Sequence, residues 1–144
     1  MNKIERRIRK AFNCTDSLDS ISNEEAIEAN HDIHALDNAS VLNLLPLLML
    51  KEMYNKTSET GDSLIRFFDV ALLKRDKQGN LIPRDEKIHA EIYRFQNERF
   101  KNFTKEQARA IYFWLRHIAN QKAQYKRHAE IFSALFYWKN RYEK

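Results

Sequence analysis

The best spacing for metal binding belongs to two histidines in an acidic stretch of the chain. His31 and His34 are separated by two residues, and Glu28 lies one helical turn before His31. On a helix these three side chains share a face, and imidazole nitrogens and carboxylate oxygens are common zinc ligands. The stretch contains no His-Glu-x-x-His sequence, and a fourth ligand would have to come from elsewhere. We therefore interpret both histidines as surface residues of an acidic loop, and we expect no metal and no other cofactor.

The sequence shows no set of residues typical of an enzyme. Cys14 is the only cysteine, but a catalytic cysteine needs a histidine positioned as its base, and none is identifiable. Gly61 and Gly79 are the only glycines, so no glycine-rich loop is present to bind phosphate. Acidic pairs such as Glu24-Glu25 open predicted helices, where they stabilise the helix dipole. We expect Cys14 to be a half-buried structural thiol and the protein to be no enzyme.

Charge is segregated along the chain, whose net charge is +5 and whose pI is about 9.3. Residues 1–13 carry +4, residues 14–50 carry −7 with no Lys or Arg, and residues 51–144 carry +8. Pairing of these charges within one domain is one interpretation. The alternative is that one of the charged patches binds a partner.

Nucleic-acid binding is one function that the basic residues allow. Basic residues near both termini could form one surface if the termini meet; they are Arg6, Arg9, Lys10, Lys122, Lys126 and Arg127. Tyr125 and Tyr137 could stack on bases. Against this function, residues 14–50 would repel phosphate, and no helix-turn-helix can be placed. Nucleic-acid binding is therefore the alternative prediction.

Binding to another protein is the function that we predict. Phe113 and Tyr137 fall outside the main apolar stripes of their helices, and Arg116 lies near Phe113 in the sequence. Exposed aromatic rings beside arginine are typical of interface anchors. The competing interpretation is that both rings fill a second face of the core. The sequence thus predicts a non-enzymatic module, similar in role to an immunity, adaptor or inhibitor protein, with a protein partner of unknown identity.

These side chains would be positioned by helices around one apolar segment. Eight of the ten residues in Val41–Leu50 are large and apolar, so a helix over this segment must be buried on every side. The segment is shorter than the roughly 20 apolar residues needed to cross a bilayer, and we expect no membrane interaction. Pro46 cannot donate a backbone hydrogen bond, which predicts a kink or a restart of the helix there. Residues 39–54 are thus predicted to form the central helix.

Amphipathic patterns predict further helices around the central one. Two capping boxes mark helix starts, Ser22 with Glu25 and Thr104 with Gln107, and Asp37 or Asn38 is expected to cap the central helix. Four further helices are predicted over Asn2–Phe12, Asp85–Phe100, Phe103–Asn120 and Gln124–Tyr142. Another is predicted to begin at Asp62 or Ser63 and to bury Leu64, Phe67, Phe68, Ala71 and Leu72. We expect a single all-α domain over residues 1–144, a bundle of about five to six helices. We also expect a cytoplasmic location, because a chain with one cysteine has no internal disulfide.

Several predictions about which side chains are buried depend on these helices. Asp85–Phe100 is expected to bury Ile88, Ile92 and Phe95, although a hairpin around Gly79-Asn80 is the competing prediction for this region. Phe103–Asn120 is expected to carry Trp114 at the edge of its apolar stripe. The last helix is expected to bury a stripe flanked by Phe132 and Phe136; the stripe comprises Ile131, Leu135, Trp138 and Tyr142.

A resemblance to a known group of proteins rests on four short motifs. They are Phe103-Thr104-x-Glu106-Gln107-x-x-Ala110-Ile111-x-x-Trp114-Leu115, the Ile8-Arg9-Lys10-Ala11-Phe12 end of the first helix, Leu45-Pro46, and Ala134-Leu135-x-x-Trp138. Together they resemble an uncharacterised family of small bacterial helical domains. The charged residues around Lys74–Lys87 depart from that pattern. The resemblance implies a shared helical fold. It implies no activity, because the family is uncharacterised.

Overall fold

The computed structural model describes residues 2–55, 58–121 and 129–144. Within them the chain forms seven α-helices and one small hairpin, which confirms the all-α prediction. The helices are α1 (Lys3–Ala11), α2 (Asn23–Asp32), α3 (Asn38–Asn55), α4 (Ser58–Phe68), α5 (Glu86–Phe100), α6 (Lys105–Gln121) and α7 (Ala129–Glu143), and the strands are β1 (Leu73–Arg75) and β2 (Leu81–Pro83). Two short 3-10 turns lie at Leu18–Ser20 and Ile33–Ala35.

The internal contacts of the chain divide it into two compact units. Unit 1 is Met1–Phe67, and unit 2 is Phe68–Lys144. Each unit has its own buried aliphatic or aromatic side chains and its own helix caps. The organisation of residues 1–144 as one domain stays a prediction.

Unit 1 contains the predicted apolar helix, α3. Asp37 caps it, because its Oδ1 accepts a hydrogen bond of 2.8 Å from the backbone N–H of Ser40. Residues 45–50 are all buried, as a helix apolar on every side requires. Leu42 and Leu44 are half-buried, so the first turns of α3 are less covered than predicted. The helix runs through Pro46 without ending, so the alternative of a restart there is wrong.

The first helices of unit 1 are held by local side-chain hydrogen bonds. Asn2 caps α1 by accepting from the N–H groups of Ile4 and Glu5 at 2.6 and 3.4 Å. Ser22 and Glu25 form the predicted capping box at the start of α2, with bonds of 3.1 and 3.3 Å. The Tyr54 hydroxyl donates to the Glu5 carboxylate, which links α3 to α1.

The core of unit 2 is a cluster of aromatic rings around two tryptophans. Trp114 and Trp138 each meet the ring of Phe68 edge-on, with centroids 5.8 and 5.7 Å apart. Phe100 packs on Trp138 with a centroid distance of 4.8 Å. The indole N–H of Trp138 donates to the Phe68 carbonyl at 3.1 Å, so this buried donor is satisfied. Trp114, predicted at the edge of the apolar stripe of α6, is fully buried, so the buried face of this helix includes that edge.

The hairpin around Gly79-Asn80 and the helix after it, predicted as alternatives, are both present. Strand β1 pairs with β2 in an antiparallel hairpin in which Lys74 lies opposite Ile82. The loop is closed by Asp76, whose Oδ1 accepts from the N–H groups of Gln78 and Asn80 at 2.9 and 2.8 Å. Gly79 adopts φ +85° in this loop, a conformation that glycine adopts without a Cβ clash.

The start of α5 and the packing of the hairpin are set by single side chains. Asp85 caps α5 by accepting from the N–H groups of Lys87 and Ile88 at 3.0 and 3.4 Å. The N–H of Leu73 donates to the buried Ser133 hydroxyl at 2.9 Å. The hairpin is thereby attached to α7.

Two predicted apolar stripes are wrong in part. On α5, Ile88 and Phe95 are exposed and Gln96 and Phe100 are buried instead. The buried Gln96 donates from its Nε2 to the carbonyl of Asp69 at 2.6 Å, which offsets part of the cost of burying this amide. On α7, the small residues Ser133 and Ala134 and the ring of Tyr137 occupy the buried face with Ile131 and Trp138. Leu135 and Tyr142 are only half-buried.

Two predicted helix boundaries also differ. Helix α4 begins at Ser58, before the predicted caps Asp62 and Ser63, and it ends at Phe68. Ala71 is buried as predicted, but it lies beyond the helix with φ 58°. The part of the predicted last helix that falls on residues 124–128 lies outside the described residues.

Candidate functional site

Most of the exposed large apolar side chains of the described residues lie on two helices of unit 2. Phe136 on α7 is 64% exposed, and Phe95 on α5 is 61% exposed. Ile88, Tyr93 and Phe132 on the same two helices are also exposed. Two of these five side chains, Tyr93 and Phe136, line one cleft, and exposed apolar surface of this kind marks a candidate interaction site.

A cleft with a volume of about 340 Å³ lies beside Phe136. Its wall comes from α5, α7 and the segment that precedes β1, and its lining residues are Leu72, Tyr93, Phe136, Tyr137, Asn140, Arg141 and Lys144. We call it the aromatic cleft. Phe132 lies one helical turn before Phe136 on α7, so it extends the exposed apolar surface next to the cleft.

The buried side of the aromatic cleft is rigidly held by Tyr137. Its ring packs edge-on against Tyr93 with a centroid distance of 5.8 Å, and its hydroxyl donates to Asn97 Oδ1 at 2.8 Å. Burial raises the pKa of Tyr137, although the hydrogen bond from Arg141 opposes that shift. The hydroxyl therefore stays protonated and keeps its role as a donor to Asn97.

Arg141 is a half-buried cation that lines the aromatic cleft. Its Nη1 donates to the Tyr137 hydroxyl at 2.8 Å, and its Nη2 donates to the carbonyls of Phe100 and Phe103 at 2.8 and 3.2 Å. All three acceptors are neutral. Among the described residues no carboxylate pairs with this half-buried guanidinium. None of the lining residues that the structure describes is acidic, and Lys144 adds a second cation.

The predicted partner-binding residues are brought together only in part. Phe113 and Arg116 lie side by side on α6, with the guanidinium carbon 5.7 Å from the ring centroid. Arg109 precedes Phe113 by one helical turn, and its guanidinium carbon lies 5.9 Å from the centroid of the same ring. Tyr137 is not part of this group and is only 4% exposed. The expectation that it presents an exposed ring is wrong, because the ring packs in the core and its hydroxyl is bonded there.

The predicted nucleic-acid-binding residues on α1 differ in availability. Arg6 and Lys10 are exposed. The Arg9 side chain is only 18% exposed, and its Nε donates to Glu5 Oε2 at 2.7 Å. Its Nη1 also donates to the Asp16 carbonyl at 2.7 Å, so Arg9 mainly stabilises the loop that follows α1. Lys122, Lys126 and Arg127, together with Tyr125, lie outside the described residues.

The structure tests the candidate metal and nucleophile residues only in part. His31 ends up in α2 and His34 in the 3-10 turn after it, but their side chains lie outside what the structure describes. Among the side chains that are described, no three His, Cys, Asp or Glu are grouped so that they could hold a metal ion. Cys14 is a free thiol with 9% exposure, and Arg9 Nη1 lies 4.0 Å from its sulfur.

Sequence reasoning missed Phe136 and Tyr93, which line the aromatic cleft. Phe132 and Phe136 were expected to flank a buried stripe. The small residues Ala129, Ser133 and Ala134 allow close approach of a neighbouring element. Phe132 and Phe136 each lie one helical turn from one of them, so spacing alone did not show that both rings would be exposed.

Comparison with known proteins finds no family model, no curated protein and no solved structure that matches this chain. None of the helices in the described residues is both long enough and apolar enough to cross a bilayer. A function is therefore assigned from the chemistry of the aromatic cleft.

Proposed function

We propose that the protein is a non-enzymatic protein-binding module, similar in role to an immunity, adaptor or inhibitor protein, whose partner docks on the aromatic cleft. The observation that carries this proposal is the exposure of Phe136, 64%, at the mouth of a cleft with an ordered aromatic wall. An aromatic side chain beside a pocket is the usual composition of a binding hot spot.

The shape of the aromatic cleft supports a protein ligand. Its volume of about 340 Å³ lies at the low end of the roughly 300–1,000 Å³ found for small-molecule pockets, so it suits one large side chain of a partner. Tyr137 is fixed by Asn97 and Arg141. A wall that is ordered before binding loses little conformational entropy when the partner docks.

The proposed compartment is the cytoplasm. Cys14 is the only cysteine, so the chain contains no internal disulfide, which suits a reducing environment. This supports the proposal of a cytoplasmic partner.

Capture from the source cell with the wild-type protein and a Phe136→Ala variant tests the proposal. Any stoichiometric partner is then purified, and its dissociation constant is measured with both proteins by calorimetry. We expect Phe136→Ala to weaken binding by about 2 kcal/mol or more, as for a hot-spot residue. Phe95→Ala is the matched control, since Phe95 is 61% exposed but lies outside the aromatic cleft. Equal binding by the wild type and both variants would show that the cleft is not the interface.

Single-strand nucleic-acid binding is the second candidate, and the arrangement on α6 is what favours it. On α6 the Phe113 ring lies between the guanidinium groups of Arg109 and Arg116. Arginine side chains can contact phosphates, and aromatic rings can stack on bases. Anisotropy of labelled oligo-dT and oligo-rU over a salt series tests it. Binding that weakens steeply with salt and is lost in Arg116→Ala, with Phe136→Ala unaffected, would favour this candidate over the cleft.

A further inference from the structure

We infer that the aromatic cleft binds an acidic peptide segment, with a carboxylate of the peptide next to the large apolar side chain that fills the cleft. This inference rests on the proposed protein-binding function and specifies the chemistry of the partner. It comes from the charges that line the cleft together with its apolar wall.

Arg141 carries a positive charge that no carboxylate pairs with in the described residues. All its hydrogen bonds within the described residues go to neutral oxygens, those of Tyr137, Phe100 and Phe103. These bonds orient the guanidinium but leave its positive charge without a carboxylate partner in that part of the chain. Near an apolar, half-buried surface the effective dielectric constant is lower than in water, so attraction to an incoming anion is stronger. The site thus provides an oriented cation for a carboxylate.

The described lining of the aromatic cleft is positively charged. Lys144 lines the cleft with Arg141, and none of the described lining residues is Asp or Glu. Unit 2 as a whole has seventeen Lys and Arg against nine Asp and Glu, a formal charge of +8. A positive field of this kind attracts an acidic segment and disfavours a basic one.

The apolar wall of the aromatic cleft favours a ligand with a large apolar group. Leu72, Tyr93 and Phe136 give the aromatic cleft an apolar wall, which a phosphate-rich strand would not fill. A large aliphatic or aromatic side chain would cover the exposed ring of Phe136 and remove it from water. A peptide with one large apolar side chain next to Asp or Glu would pack on the apolar wall and pair its carboxylate with Arg141 or Lys144.

The probe is a random peptide library displayed on phage, panned on the full chain. Clones are counter-selected on the Phe136→Ala variant, so that only binders of the aromatic cleft are kept. We expect the retained peptides to share one large apolar residue flanked by Asp or Glu. The consensus peptide is then labelled, and its affinity is measured by fluorescence polarisation.

Charge reversal on α7 provides the decisive comparison. Lys144→Glu should weaken the consensus peptide about tenfold at low salt, and Asn140→Asp, which adds a negative charge to the same lining, should weaken it as well. Lys139→Glu is the matched control, because Lys139 is exposed on α7 but does not line the cleft; it should change affinity by about twofold or less, through screened long-range charge alone. These three positions are solvent-accessible enough to leave folding intact, which circular dichroism verifies.

The outcomes separate this inference from the proposed function. Failure to recover any peptide that depends on Phe136 overturns both the protein-binding cleft and its acidic ligand. Recovery of such peptides without acidic residues, or equal effects of Lys144→Glu and Lys139→Glu, overturns the acidic ligand and leaves the protein-binding cleft in place. Acidic consensus peptides that are weakened selectively by Lys144→Glu and Asn140→Asp support the inference.

Discussion

Arg141 and Tyr137 lie one helical turn apart on α7, and Nη1 of Arg141 donates a hydrogen bond of 2.8 Å to the Tyr137 hydroxyl. The same hydroxyl donates to Asn97 on α5, and Nη2 of Arg141 donates to the carbonyl of Phe103 just before α6. One arginine and one tyrosine thus connect three helices of unit 2. Both side chains also line the aromatic cleft, so the stability of the unit and the shape of the cleft depend on the same bonds.

Removing the Tyr137 hydroxyl should destabilise unit 2. Tyr137→Phe keeps the ring but leaves Asn97 and Arg141 each without one hydrogen-bond partner, and we expect a loss of about 1–3 kcal/mol in the free energy of unfolding. Urea unfolding followed by tryptophan fluorescence measures this, since Trp114 and Trp138 are the two tryptophans of the chain and both belong to unit 2. Tyr142→Phe is the control, because within the described residues the Tyr142 hydroxyl makes no hydrogen bond. Equal effects of the two substitutions would contradict the prediction.

The cap of α6 should contribute measurably to stability. Thr104 and Gln107 exchange two hydrogen bonds of 3.0 Å, so Thr104→Ala leaves a backbone N–H of the first turn without its acceptor. We expect a loss of about 1 kcal/mol, again read from tryptophan fluorescence in urea. Thr104→Ser retains the hydroxyl and should stay close to the wild type. A Thr104→Ser variant as unstable as Thr104→Ala would show that the methyl group, not the cap, matters.

A cavity in the core around α3 should lower the free energy of unfolding more than the loss of a helix cap does. Leu45 is fully buried in unit 1, and we expect Leu45→Ala to lower the free energy of unfolding by about 2–5 kcal/mol. Unit 1 contains no tryptophan, so far-UV circular dichroism in urea is the appropriate measurement. Leu42→Ala on the same helix is the control, and it should cost less because Leu42 is half-buried. The reverse order would show that Leu45 is not at the centre of this core.

Asp69 should make the stability of unit 2 depend on pH. The pKa of its carboxyl is raised from 3.8 to about 6, mainly by burial and also by the nearby charge of Glu130, while the hydrogen bond from the Ala71 N–H and the charge of Arg84 oppose the shift. The folded state therefore holds a proton between about pH 4 and pH 6 that the unfolded state has released. The contribution of Asp69 to stability falls as pH rises through this window, by up to about 3 kcal/mol, and stays low above it.

Asp69→Asn tests this dependence because the amide oxygen can still accept from the Ala71 N–H, which lies 2.9 Å from Oδ1 in the wild type. We expect the variant to gain stability relative to the wild type as pH rises from about 4 to about 6, and then to keep a constant advantage. Tryptophan fluorescence in urea at a series of pH values gives the difference. The comparison also cancels groups such as Glu5, whose pKa is lowered in the folded state by its bonds to Tyr54 and Arg9 despite its burial. A difference that does not vary with pH would contradict the prediction.

Local features of the fold could be predicted from the sequence by itself. The capping boxes at Ser22 and Thr104 and the cap at Asp37 form as expected, because these bonds join residues three apart and need nothing from the rest of the chain. The burial of residues 45–50 was also predictable, since a helix that is apolar on every side has no face suited to water.

The faces that α5 and α7 bury were decided only by the tertiary structure. On α5, Gln96 is buried with its amide bonded to the Asp69 carbonyl, whereas the neighbouring Phe95 is exposed. Tyr137 is buried and Phe136 exposed because the α7 face with Ser133 and Tyr137 meets β1 and α5. Helical periodicity shows which residues share a face, but a helix with apolar side chains on several faces does not specify which one packs. That choice depends on partners distant in the sequence, and it placed the aromatic cleft at Phe136 and not at Phe113.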